Sequence, residues 1–204
     1  KIQGVDSLHK CFHEIMPDRI EAGTYTIIGA LCGKNLKIDN IIPEHLDSLI
    51  SKLIEIGVDI EVGQDYLVVS KKDNYKATTV KTAVYPGFPT DLQQPLTVLL
   101  TQCSGKSNVI ETIWENRFMH IVYLNNLGSD ITIKNQTATI IGPTELKGVK
   151  VVATDLRAGA AMIAAGLIAE GTTTITNVEH ILRGYEQIVE KLTSVGAKIR
   201  NKEI

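Results

Sequence analysis

Three stretches of this chain align with one another, and a repeat limits the possible architectures before any single element is assigned. The segments DRIEAGTYTIIGALCGKNLKIDNIIPEHLDSLISKLIEIGVDIEV, DLQQPLTVLLTQCSGKSNVIETIWENRFMHIVYLNNLGSDITI and DLRAGAAMIAAGLIAEGTTTITNVEHILRGYEQIVEKLTSVGAKI begin at Asp18, Asp91 and Asp155, about 65 to 75 residues apart. The repeats run over roughly 18–72, 91–142 and 155–204. Each opens with an aspartate, a residue suited to cap a helix N-terminus, and continues as an apolar helical run. The runs stop near Gly33, Gly105 and Gly171, where glycine suits a left-handed cap, and the alternating stretches LKIDNI, NVIETI and TTITNV then predict strands.

A second amphipathic helix follows, marked by Leu46, Leu49, Leu53 and Ile56 in the first repeat and by Ile188, Leu192 and Val195 in the third. It ends at Gly57, Gly128 or Gly196 and leads to a further strand, VDIEV, SDITI or AKIRN. The first two repeats add a partner strand, YLVVS or TATII, across a polar turn. No such unit can bury both of its helices and a small sheet alone. The three are therefore expected to pack around a shared centre as one α/β domain, helices inside and sheets outside.

Composition narrows the possible partners. The chain is 44% hydrophobic and 22% charged, with a net charge of -2, so it carries a core but no broad basic field for nucleic acid or an anionic membrane. Any anion must be held by a few placed cations. The apolar stretch Ala158–Ala169 is too short to span a bilayer and reads as a buried helix. No basic segment leading into an apolar core opens the chain at Lys1, so residence in the cytoplasm is the expectation. Cys11, Cys32 and Cys103 lack the spacing of a disulfide framework or zinc site, and Cys32 and Cys103 are expected in the core. The five histidines form no ligand spacing and there is no glycine-rich phosphate loop, so neither a metal nor an organic cofactor is expected. A lone Trp114 and 5% aromatic content give no stacking platform for bases.

The strings IMPDRIEAGT, FPTDLQ, ETIWENRFMH, VATDLRAGAAMIAAG, AEGTTTI and ILRGYEQI, in this order and spacing, resemble the enolpyruvyl transferase family over essentially the whole chain. ENRFMH followed by DLRAG and RGYE favours the branch that acts on UDP-N-acetylglucosamine. The resemblance implies an inverted α/β barrel, with residues 1–204 forming one domain of a two-domain enzyme that binds substrates in the cleft between domains. It places an amino-terminal strand of this domain and the entire second domain outside the chain. The second domain includes a loop whose cysteine acts as acid and is alkylated by fosfomycin; none of the three cysteines here matches that motif.

The implied reaction moves the enolpyruvyl group of phosphoenolpyruvate onto the 3-hydroxyl of UDP-N-acetylglucosamine with release of phosphate, the first committed step of peptidoglycan synthesis. Such chemistry needs a base, cations for a small polyanion, and shielding from water. By resemblance Asp91 is the candidate general base, a role that requires its basicity to be raised by burial or by substrate charge. Arg117, Arg157 and Arg183 match the arginines around phosphoenolpyruvate, whose carboxylate and phosphate suit a planar guanidinium. Asp155 matches a carboxylate near the reacting carbons that orients Arg157 or moves a proton. Ile113 matches a position whose backbone touches the nucleotide sugar, and Glu115 and Asn116 are expected to support that loop. Asp18 and Arg19 read as an N-cap and a first-turn arginine.

The chain alone is expected to be inactive and prone to self-association through its bare domain face. Two other readings remain open: transfer to shikimate-3-phosphate on the same fold, and a non-catalytic half that retains sugar-nucleotide contacts.

Overall fold

A computed structural model describes residues 1–202, so the last two residues of the third repeat lie outside the described residues. Helix α1 (Arg19–Cys32) starts where the Asp18 carboxylate accepts hydrogen bonds from the Ile20 and Glu21 amides, at 2.7 and 3.2 Å. Helix α5 (Leu156–Ile168) starts in the same way on Asp155, which accepts from Arg157 N and Ala158 N at 2.8 and 2.9 Å. Each such cap is worth about 1 kcal/mol to its helix. Helix α3 (Gln93–Leu100) departs from this pattern. It is entered through a 3-10 turn, Thr90–Leu92, with no side-chain cap, and Asp91 turns its carboxylate elsewhere.

The three helices are mutual neighbours. Every residue of α3 is buried, as are Ala158–Ala165 of α5, so alanines and leucines meet where helix backbones must approach closely. Leu96, Leu99 and Leu100 are wholly inaccessible, each contributing roughly 2 kcal/mol of burial.

Around these helices lie strands and the amphipathic helices. Strands β1 (Leu36–Asp39), β2 (Asp59–Val62) and β3 (Tyr66–Ser70) form an antiparallel sheet ordered β1-β3-β2, with α2 (Asp47–Ile56) connecting the first two. A second sheet is built on β6 (Cys103–Ile110), which is joined by β4 (Tyr75–Lys76) and β5 (Thr79–Lys81) in parallel and by β8 (Thr137–Gly142) antiparallel. Its outer strand is β7 (Asp130–Lys134), reached through α4 (His120–Asn126). The third sheet is a parallel pair, β9 (Lys150–Val152) and β10 (Thr174–Thr176), followed by α6 (Glu179–Leu182) and α7 (Ile188–Ser194). Glycines end the amphipathic helices in left-handed conformation, with φ of 97° at Gly57, 109° at Gly128 and 94° at Gly196.

Several expectations need correction. The AKIRN segment is not a strand: residues 197–201 have no ladder partner, and among the described residues the third unit offers no counterpart of β3 or β8 to pair with. Gly33 ends α1 in an extended conformation, with φ of -75°, and left-handed backbone falls instead on Asn35. Gly105 caps no helix. The second apolar run stops at Leu100, and Gly105, with φ of 108°, lies inside β6 opposite Gly142. Cys103 is buried, but Cys32 is exposed, its Sγ leaning 3.4 Å from the Ile28 carbonyl at the surface end of α1. Residues 1–17 form no helix or strand, and Ile2, Val5, Leu8, Phe12 and Ile15 among them are exposed. Among the described residues no helix is long and apolar enough to cross a membrane.

Candidate active site

Asp91 is the centre of the arrangement. With no helix to cap, its Oδ1 accepts a hydrogen bond from Arg117 Nη2 at 2.5 Å and its Oδ2 one from Arg157 Nη2 at 3.3 Å. The two guanidinium groups reach it from different directions, Arg117 from the loop between β6 and α4 and Arg157 from the first turn of α5. Both arginine side chains are largely buried, 18% and 14% exposed, while Asp91 keeps 36% of its side chain open to solvent. Charge-assisted bonds of this kind at partly buried sites are stronger than surface pairs and fix geometry.

These residues line an open cleft of about 400 Å3 together with Gln94, Trp114, Glu115, Asn116, Met119, Asp155, Leu156 and Arg183. Of the anticipated residues, Asp91, Arg117, Asp155, Arg157 and Arg183 are thus brought to one place. Ile113 is half-exposed outside the cleft lining, with its N–H donated to Glu111 at 2.8 Å. Glu115 and Asn116, anticipated as support, face the cleft directly. Arg19 does not line it and stacks instead over the Tyr85 ring, 5.4 Å from its centroid.

The cleft-lining ionised groups are three arginines against three carboxylates, Asp91, Glu115 and Asp155. Asp155 Oδ1 is engaged by the α5 amides. Arg183 ends α6, is exposed, and has no ion-pair partner among the described residues. Its approach depends on two glycines: a Cβ at Gly159 would stand 2.3 Å from Ile181 of α6, and one at Gly184 2.7 Å from Leu156 of α5. Larger residues would push α6, and Arg183 with it, away from Arg157.

A scan against family descriptions matches residues 1–192 to the EPSP synthase (3-phosphoshikimate 1-carboxyvinyltransferase) family. The chain belongs to that family. Among named relatives, UDP-N-acetylglucosamine 1-carboxyvinyltransferase 2 of Listeria monocytogenes is 51% identical over 98% of the chain, and the enzyme of the same name from Bacillus cereus is 50% identical over all of it. The chain spans about half the length of these relatives, 47% and 48%. Among solved structures, the enolpyruvyl transferase NikO from Streptomyces tendae superposes with a TM-score of 0.85 at 30% identity, over 91% of this chain and 44% of that one. EPSP synthase from Acinetobacter baumannii superposes with a TM-score of 0.70 at 16% identity, a likeness of fold alone.

In this EPSP synthase-family chain, Arg157 is held by residues that the sequence reading passed over. Its Nη1 donates to the Tyr185 hydroxyl at 3.2 Å, and that hydroxyl, wholly buried, lies 2.8 Å from Thr24 Oγ1 of α1. Burial raises the Tyr185 pKa, which keeps it a phenol. His120 is also buried, and burial pushes its pKa down to about 3 against the pull of the Asp155 charge and of the Arg117 backbone. Both residues sit inside quoted motifs, RGYE and ENRFMH. Their signal was position: each falls on the apolar face of its segment.

Proposed function

We infer that this chain is one half of a cytoplasmic UDP-N-acetylglucosamine enolpyruvyl transferase, whose second half completes the cleft around Asp91, Arg117, Arg157 and Arg183. The observation that carries the reading is Asp91, released from helix capping and held between two guanidinium groups at a cleft. It occurs in a chain half-identical to enzymes named for that activity. The domain is read as an inverted barrel of three repeats, a reading supported by the mutual packing of α1, α3 and α5 and by the sheets and amphipathic helices that flank them.

In this reading the phosphate and carboxylate of phosphoenolpyruvate draw the Arg157 guanidinium off Asp91 Oδ2 and meet Arg183, while Arg117 stays anchored on Thr90 and Asp91 Oδ1 and turns its remaining N–H groups to the same anion. Asp91 Oδ2 is then free to accept the proton of the sugar 3-hydroxyl as its oxygen bonds to C2 of phosphoenolpyruvate and the C2–C3 π electrons take a proton at C3 from an acid of the second half. Loss of a C3 proton with departure of phosphate from C2 restores the double bond as the enolpyruvyl ether. Asp155 fixes the backbone of Arg157 by capping α5 and faces the reacting carbons. The Ile113 N–H is taken by Glu111, which leaves its carbonyl as the backbone group offered to the sugar.

The test is phosphate release by a complete enzyme containing this chain, given phosphoenolpyruvate and either UDP-N-acetylglucosamine or shikimate-3-phosphate. Release with the UDP-sugar alone is expected; release with shikimate-3-phosphate alone overturns the acceptor. Asp91→Ala is expected to lower kcat by about 10²- to 10⁴-fold while weakening UDP-sugar binding far less. Equal losses in both would reduce Asp91 to a binding group.

A further inference from the structure

Glu111 is one residue beyond β6 and is 1% exposed, yet no basic side chain is paired with it among the described residues. It is instead saturated with hydrogen-bond donors. Oε1 accepts from Thr82 Oγ1 at 2.8 Å, from Ile113 N at 2.8 Å and from Trp114 N at 3.2 Å; Oε2 accepts from Thr90 Oγ1 at 2.8 Å. A carboxylate buried this deeply is costly unless its lone pairs are filled, and here four donors from three separate segments fill them.

The direction of those bonds matters. Thr90 donates its single hydroxyl proton to Glu111 Oε2 and so presents a lone pair on its other side. That lone pair receives Arg117 Nη1 at 3.1 Å, while Nη2 of the same guanidinium reaches Asp91, the residue after Thr90. The plane of Arg117 is thereby set by two neighbouring residues, one of which takes its orientation from Glu111. The same carboxylate ties down the start of the loop that carries Trp114, Glu115, Asn116 and Arg117 into the cleft.

We propose that Glu111 is a positioning residue for the reaction site: acting through Thr90 and the Ile113 and Trp114 amides, it fixes Arg117 against Asp91. This rests on the reading that Asp91 and Arg117 serve enolpyruvyl transfer. Glu111→Gln keeps the shape but turns one acceptor edge into an amide donor. The three donors at Oε1 hold the oxygen on that side, so the NH2 faces Thr90. Thr90 then receives two donors, and its own proton must swing away from the ladder that orders it.

The experiment compares wild type, Glu111→Gln, Thr90→Val and the double variant in a complete enzyme containing this chain, with phosphoenolpyruvate and UDP-N-acetylglucosamine. It also follows hydrogen exchange of the Ile113 and Trp114 amides and acrylamide quenching of Trp114, the single tryptophan of this chain, taken as the difference from a Trp114→Phe variant. The expected result is a kcat loss on the order of tenfold to a hundredfold in Glu111→Gln, with a smaller change in KM and an unchanged unfolding midpoint. The double variant should be no slower than the slower single one. Exchange at Ile113 and Trp114, and quenching of Trp114, should rise while the helix cores stay protected.

An active wild type with Glu111→Gln within twofold of it, or losses that add in the double variant and track global destabilisation, would overturn the positioning role and leave the site reading intact. An inactive wild type would overturn the site reading. The exchange and quenching data then decide the anchoring role alone, with unchanged local protection rejecting it. Should Glu111→Gln not fold, Thr90→Val severs the same path to Arg117 and is read by the same outcomes.

Discussion

His120 couples the stability of this chain to mild acid. Its imidazole is inaccessible, and burial holds its pKa near 3 despite the Asp155 charge and the Arg117 backbone, against about 6.5 for an unfolded histidine. The unfolded chain therefore binds a proton that the folded one refuses throughout the window from about pH 6.5 down to about 3. Stability from this residue is fully present above pH 6.5 and is withdrawn as pH falls. Between pH 7 and pH 5 the loss amounts to about 2 kcal/mol, or a fall of roughly 4 to 8 °C in midpoint for a chain of this size. The assay is thermal or urea unfolding at half-unit pH steps, on wild type and on His120→Leu, which keeps the site apolar and removes the titration. The variant should show a shallower slope over pH 5 to 7. Equal slopes would mean that His120 is hydrated or partnered in solution, and the argument from burial would fail.

Two further outcomes follow from close packing and from thiol burial. Gly159→Ala forces a Cβ into Ile181, so it should cost about 1 to 3 kcal/mol and, by displacing α6 and Arg183, weaken phosphoenolpyruvate binding by a complete enzyme; a stability loss with binding untouched would disconnect Arg183 from that packing. Cys103, whose thiol burial pushes up to about 12, should react with Ellman's reagent at pH 8 only on unfolding, whereas in the native state Cys11 should react at once and Cys32, whose pKa desolvation also raises, more slowly; a native titration of three thiols would contradict the core described above.

Much of the fold was legible because it is written in periodicity. The glycine ends of α2, α4 and α7 and the apolar run of α5 follow from local rules that burial reinforces. AKIRN failed because strand character there depended on a partner, which no local pattern can supply. Cys32 failed because an apolar helical run does not reveal which of its last residues faces water. That Arg117, Arg157 and Arg183 share a cleft was anticipated through motifs. The contacts that aim them were not, since Thr90, Tyr185 and Thr24 are far apart in sequence. Glu111 did leave a trace: Ser107 and Val109 point inward from β6, so the next residue in that phase is a glutamate on the core face. A charged group in a buried phase marks a residue with donors to collect.

Position 91 has a consequence for how this chain tolerates change. Asp18 and Asp155 each hold down the start of a helix, so replacing either damages folding together with anything else it does. Helix α3 begins without help from Asp91 and is secured by burial along its whole length. Mutational robustness is therefore uneven across three residues that look alike in the sequence. At 155 one carboxylate both caps α5 and lines the cleft, so a substitution reaches both. At 91 the carboxylate serves two guanidinium groups and not a helix start, so a substitution there disturbs the cleft before it disturbs a helix.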